Sequence, residues 1–139
     1  ARESNPSEIT CTMRGDRAVM DALQMARDFG VRHKLSDDDV SRLSIIVEEL
    51  FVNLVEHGGV DAEQFVTLTL AREPGGIRVV MIDPAPPFDP RRFANRGPRP
   101  ARGGGAGIAI VRAWTEFIDY STTGTGNRLE LFVPIAEQS

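Results

Sequence analysis

The segment from Val40 to Val55 constrains this chain more than any other. Val40, Leu43, Ile46, Val47, Leu50, Phe51, Leu54 and Val55 recur at helical spacing and form a wide apolar stripe. Such a helix must bury its stripe against a second layer. The pattern is broken by Glu49 and Asn53, which stand four apart and therefore share one helix face. A carboxylate one turn before a carboxamide sets a proton acceptor beside a neutral oxygen donor. Hard cations such as Mg²⁺ take oxygen ligands and keep several waters. The pair therefore suits holding a metal–phosphate and activating a hydroxyl next to it. Taken alone, two such residues are more often an ordinary solvated face.

At 139 residues the chain is long enough for one domain with a sizeable core. Its net charge of −4 argues against non-specific nucleic-acid binding. Basic residues concentrate only at Arg91, Arg92, Arg96, Arg99 and Arg102. Cys11 is alone, which excludes a disulfide framework and a cysteine-based metal site and fits a reducing compartment. No apolar run approaches the roughly 18 residues of a membrane span, and no signal peptide is visible, so the expected location is cytoplasmic with no membrane partner. The chain opens on Ala1 rather than Met, which reads as a remnant or as the cut end of a larger protein.

Alternation over Ser7 to Arg14, with Ile9, Cys11 and Met13 on one side, predicts a strand. Asp16 is the expected N-cap of a helix running to about His33, with Val19, Leu23, Ala26 and Phe29 or Gly30 inward. Ser36 caps the next helix, and Asp37, Asp38 and Asp39 suit its positive end. That helix carries Glu49 and Asn53 and stops at Gly58-Gly59. Phe65–Arg72 and Ile77–Ile82 read as a hairpin around a type II turn at Pro74-Gly75. A Pro-, Arg- and Gly-rich loop follows to Gly105, and its length marks it as functional or disordered. Gly107 to about Glu116 reads as a helix. Phe117–Thr123 and Arg128–Val133 read as two strands joined through Gly124-Thr125-Gly126-Asn127. The expected architecture is a two-layer α/β sandwich with a mixed, mostly antiparallel sheet and about three helices on one face.

Two further features carry chemistry. Asp83 follows a strand and precedes a turn forced by Pro84, Pro86 and Pro87, where its carboxylate can accept a hydrogen bond from an exocyclic amino group such as that of adenine. Asp is equally a standard turn residue. In Gly103-Gly104-Gly105-Ala106-Gly107-Ile108 the glycines let backbone N–H groups approach phosphate oxygens, and a helix starting there adds its positive end. A flexible glycine linker accounts for the same residues.

In chain order these pieces resemble a known family. Glu49-x-x-x-Asn53 ending in His57-Gly58 is followed by Asp83-x-Ala85-x-Pro87-Phe88-Asp89-Pro90, then by a lid-like loop and Gly104-Gly105-Ala106-Gly107-Ile108. The arrangement resembles the GHKL ATPase superfamily, specifically the anti-sigma factor serine/threonine kinases of bacterial stress and sporulation switches. The Pro-Phe-Asp-Pro ending and short chain favour that branch over histidine kinases, gyrases and Hsp90.

The resemblance runs from about Ser7 to Val133 and implies a single Bergerat-type domain binding ATP and Mg²⁺. It implies Glu49 as general base, Asn53 as ligand of Mg²⁺ and the phosphates, and Asp83 as acceptor for the adenine amino group. Gly104, Gly105 and Gly107 would supply phosphate-facing amides, Arg102 a lid cation, and Ala85, Ile108 and Asn127 further nucleotide contacts. The implied partners are a STAS-domain anti-anti-sigma protein as phosphoacceptor, a sigma factor, and a second copy in a homodimer. Many relatives have Gly where Ala85 stands and Thr where Asn127 stands. Two other readings remain: a nucleotide-gated binding module with little kinase activity, and the ATPase domain of a larger signalling protein.

Overall fold

The computed structural model describes residues 7–56, 59–84, 104–123 and 126–135. In chain order they form β1 (Glu8–Arg14), α1 (Ala18–Arg32), α2 (Asp37–Glu56), β2 (Phe65–Glu73), β3 (Gly76–Asp83), α3 (Gly104–Trp114), β4 (Glu116–Thr123) and β5 (Gly126–Pro134). The strands make one sheet in the order β1-β2-β3-β5-β4. Every pairing among the described strands is antiparallel, so the expected two-layer α/β sandwich holds and its mostly antiparallel sheet is wholly so there.

Alternation decides which face is covered. Val66, Leu68 and Leu70 of β2, Ile77, Val79 and Met81 of β3, and Leu129, Leu131 and Val133 of β5 are buried. They form one core with Ala22, Ala26 and Phe29 of α1, Leu43, Ile46, Val47, Leu50, Phe51 and Leu54 of α2, and Val111 of α3. Each fully buried large side chain is worth about 1.5–3 kcal/mol, so the α2 stripe is a principal source of cohesion between the layers. The opposite sheet face is mixed, with Phe65, Val80 and Ile82 beside polar pairs. Thr10 bonds Thr69 at 2.8 Å and Thr12 bonds Thr67 at 3.1 Å, while Arg78 bridges Glu73 and Glu130. An antiparallel sheet tolerates water on such a face.

The helix ends show what local chemistry fixes. Ser36 Oγ accepts from the Asp39 N–H at 3.1 Å, as an N-cap does. Asp39 is buried and paired with Arg42 at 2.7 Å, and Arg42 also donates to the Pro134 carbonyl at 3.2 Å, tying the start of α2 to the end of β5. Asp16 does not cap α1. The cap position is Arg17, with no side-chain capping bond, and Asp16 is held by Arg14 at 2.7 Å instead. The α1 stripe is rotated from expectation onto Ala18, Ala22, Met25, Ala26, Phe29 and Gly30, leaving Val19 and Leu23 half-buried. Small residues allow the close approach: a Cβ on Gly30 would lie 2.5 Å from Val40 Cγ2 on α2. The hairpin turn is as expected, with Gly75 at φ 83°. Helix α3 starts at Gly104, not Gly107, and Gly126 and Asn127 belong to β5 rather than to a connecting loop.

Candidate nucleotide site

Polar side chains rarely enter a core without a reason. Among the described residues, Asp39, Asn53, Asp83 and Asn127 are the buried polar or charged ones. Asp39 is accounted for by its ion pair with Arg42. The other three are all residues singled out above for nucleotide chemistry.

Asn53 is not on a solvated face of α2. It is 2 % exposed, between Leu50 and Leu54, because α3 packs against α2 and the layer below is core. Its Nδ2 donates to the backbone carbonyl of Glu49 at 2.9 Å. Its Oδ1 is buried and has no hydrogen-bond partner among the described residues. An acceptor left unpaired there costs about 1–3 kcal/mol, which makes this oxygen a candidate to bind a group that the described residues do not supply.

One turn earlier, Glu49 is half-buried. Burial pushes its carboxyl above the usual range, and the carboxylates of Glu48 and Glu56 push in the same direction. A carboxylate made more basic in this way is the environment a general base needs.

The second polar pair stands where β3 and β5 run side by side. Ile77, Val79, Met81 and Asp83 alternate inward on β3, and Asn127, Leu129, Leu131 and Val133 do so on β5. Asp83 and Asn127 are register partners. Asn127 Nδ2 donates to Asp83 Oδ1 at 3.0 Å. Tyr120 of β4 donates its phenolic O–H to Asn127 Oδ1 at 2.5 Å. Gly126 lets the strands close here, since a Cβ on it would lie 1.9 Å from the Asp83 carbonyl oxygen.

Gly104, Gly105 and Gly107 occupy the first turn of α3, whose leading N–H groups have no intrahelical acceptors. The earlier helix start places all three where amides can face an anion. Ile108 follows in the same helix, with its side chain outside the described residues. Ala85 and Arg102, the Pro-Phe-Asp-Pro turn, the lid segment and His57-Gly58 also lie outside them.

No group of three or more His, Cys, Asp or Glu side chains suited to a metal occurs among the described residues. A divalent ion here would draw its ligands from Asn53 Oδ1, phosphate oxygens and water, a donor set that suits Mg²⁺. The residues present fit that group.

The family profile for the histidine kinase-like ATPase domain matches residues 15–133. This chain belongs to that family. The match takes in α2, β3, the first turn of α3 and β5, and so every residue of the two polar pairs. A search of curated proteins found no match. Among solved structures, the fold is similar to the histidine kinase domain of the Erythrobacter litoralis EL346 blue-light activated histidine kinase, with a TM-score of 0.52 and 16% identity. That similarity covers 88% of this chain and 61% of the other, so the chain spans less than two thirds of the matching protein. Family and fold agree on an ATPase domain of the histidine kinase-like superfamily. No described helix is long and apolar enough to cross a membrane.

Proposed function

We propose that this chain is an ATP-dependent protein serine/threonine kinase that acts as an anti-sigma regulator and phosphorylates a STAS-domain anti-anti-sigma partner. The observation that carries the proposal is the orphaned Asn53 Oδ1 one turn after the half-buried, more basic Glu49. Asn53 holds the metal-bound triphosphate, for which Mg²⁺ supplies charge neutralisation when bound. Asp83 receives the adenine amino group. The amides opening α3 face the phosphates, with Arg102 as the lid cation and Ala85, Ile108 and Asn127 completing the nucleotide contacts. Glu49 takes the proton from the acceptor hydroxyl as its oxygen attacks the γ-phosphorus. The bond from that phosphorus to the bridging oxygen breaks, and ADP leaves. Phosphoryl transfer needs mainly positioning and charge stabilisation, which these groups provide.

The unphosphorylated STAS protein and a sigma factor are the proposed alternative binders, and a homodimer is the proposed assembly. The Arg-rich segment favours an acidic protein face, with affinity falling as salt rises.

The deciding experiment incubates the chain with Mg²⁺, γ-labelled ATP and a STAS-domain protein from the same genome. Acid-stable label on a serine or threonine of the STAS protein is expected. Acid-labile label on a histidine of another protein would reassign the chain to histidine phosphorylation. ATP-dependent binding without transfer would make it a nucleotide-gated binding module.

A further inference from the structure

Tyr120, Asn127 and Asp83 lie on three adjacent strands, β4, β5 and β3, and form a hydrogen-bond chain with only one workable polarity. The carboxamide oxygen of Asn127 can only accept, so the Tyr120 hydroxyl must be the donor at 2.5 Å. An ionised carboxylate can only accept, so the Asn127 amide nitrogen must be the group at 3.0 Å from Asp83 Oδ1. An Asn held at one end alone retains rotation about its last bond. Held at both ends, it fixes the plane of the carboxylate it contacts.

We infer that Tyr120 is a positioning residue for base recognition: through Asn127 it sets the Asp83 carboxylate in the orientation that receives the exocyclic amino group of adenine. The inference rests on the reading of Asp83 as the base acceptor. Tyr120 is half-buried against the core, so its ring is anchored while its hydroxyl reaches the site. The register explains why a residue on β4 can do this. Thr122 is the partner of Asn127 across the β4–β5 ladder, and Tyr120 stands two residues away on the same face.

Tyr120→Phe removes one oxygen and keeps the ring. Calorimetry would compare Mg·ATP with the analogue triphosphate that carries hydrogen in place of the 6-amino group. The wild-type protein is expected to prefer ATP by about tenfold, the value of one good hydrogen bond. Tyr120→Phe is expected to weaken ATP by roughly 3- to 10-fold while leaving the analogue within about twofold, so that the preference collapses. A merely structural role would weaken both ligands together, and that result overturns the inference. A preference kept in Tyr120→Phe also overturns it, without touching the nucleotide site. A wild-type protein that binds both ligands equally overturns the reading of Asp83, and one that binds neither overturns the nucleotide reading; the inference falls with either.

A second measurement needs no variant. In the wild-type protein the Asn127 side-chain amide protons, locked between Tyr120 and Asp83, should exchange with water at least about tenfold more slowly than those of exposed amides. Equal exchange rates would overturn the inference.

Discussion

Asn53 turns its carboxamide nitrogen back onto the Glu49 carbonyl, 2.9 Å away, and its buried oxygen has no hydrogen-bond partner among the described residues. The proposed ion ligand is thus tethered to the backbone of the residue proposed as the base.

The first prediction separates binding from stability at that position. Asn53→Leu removes the orphaned oxygen and fills the space with apolar atoms. It should raise unfolding stability in urea by about 1 kcal/mol, because a buried unsatisfied acceptor is lost. The same variant should lose the Mg²⁺-dependent part of ATP binding by about tenfold or more. A variant both less stable and undiminished in Mg·ATP affinity would contradict both assignments.

Glu49 gives a pH signature. Its folded-state pKa is raised above the ordinary 4.5, so the folded chain holds this proton more tightly than the unfolded one. The resulting stability is fully present below pH 4.5 and is lost as pH rises through the higher folded-state value. Glu49→Gln should therefore match the wild type in acid and exceed it in stability at neutral pH, measured by urea titration across that range. Phosphoryl transfer by Glu49→Gln should fall about 10²–10⁴-fold, with ATP affinity little changed.

Gly126 tests whether the closeness of β3 and β5 matters to the site. Gly126→Ala places a Cβ 1.9 Å from the Asp83 carbonyl oxygen, which is backbone and cannot rotate away. The strands must part, at a cost of roughly 1–3 kcal/mol in thermal or urea unfolding. ATP affinity should fall in the same variant, because the Asn127–Asp83 bond spans the gap being widened.

A last prediction lies away from the site. Lys34, just past the His33 cap of α1, has φ 57°, with the Leu35 N–H on the Gly30 carbonyl at 2.9 Å and the Lys34 N–H on the Val31 carbonyl at 3.2 Å. This is the left-handed helix terminus that glycine normally occupies. Lys34→Gly should raise stability by about 0.5–1 kcal/mol, the relief of left-handed strain exceeding the entropy glycine loses on folding. ATP binding should not change.

The Val40–Val55 stripe was legible because burial on one side imposes a period that a sequence displays directly. The strand over Ile77–Ile82 was legible from its apolar run, with Asp83 just after it, but not that Asp83 continues the inward-facing alternation of β3. Asp16 misled because a nearer cation, Arg14, satisfied it before the helix did. The start of α3 was misplaced because Gly104 and Gly105 have weak helix propensity, which tertiary packing on α2 overrides. The burial of Asn53 was hidden, since periodicity marks a polar residue as outward. Tyr120 was missed altogether. The short connection already sets β4 beside β5, but only the sheet order sets β5 beside β3 and so joins Tyr120 to Asp83 through Asn127, and no local pattern announces that order.

That order has a consequence for how the protein comes into being. β5 follows every other described strand yet lies inside the sheet, between β3 and β4. A nascent chain emerging from the ribosome thus carries β3 with an unpaired edge, and Asp83 without Asn127, until 44 further residues have been made. Throughout that interval the apolar edge of β3 is open to any extended segment that meets it. A translation pause before Gly126 prolongs the interval in which that edge stays unpaired.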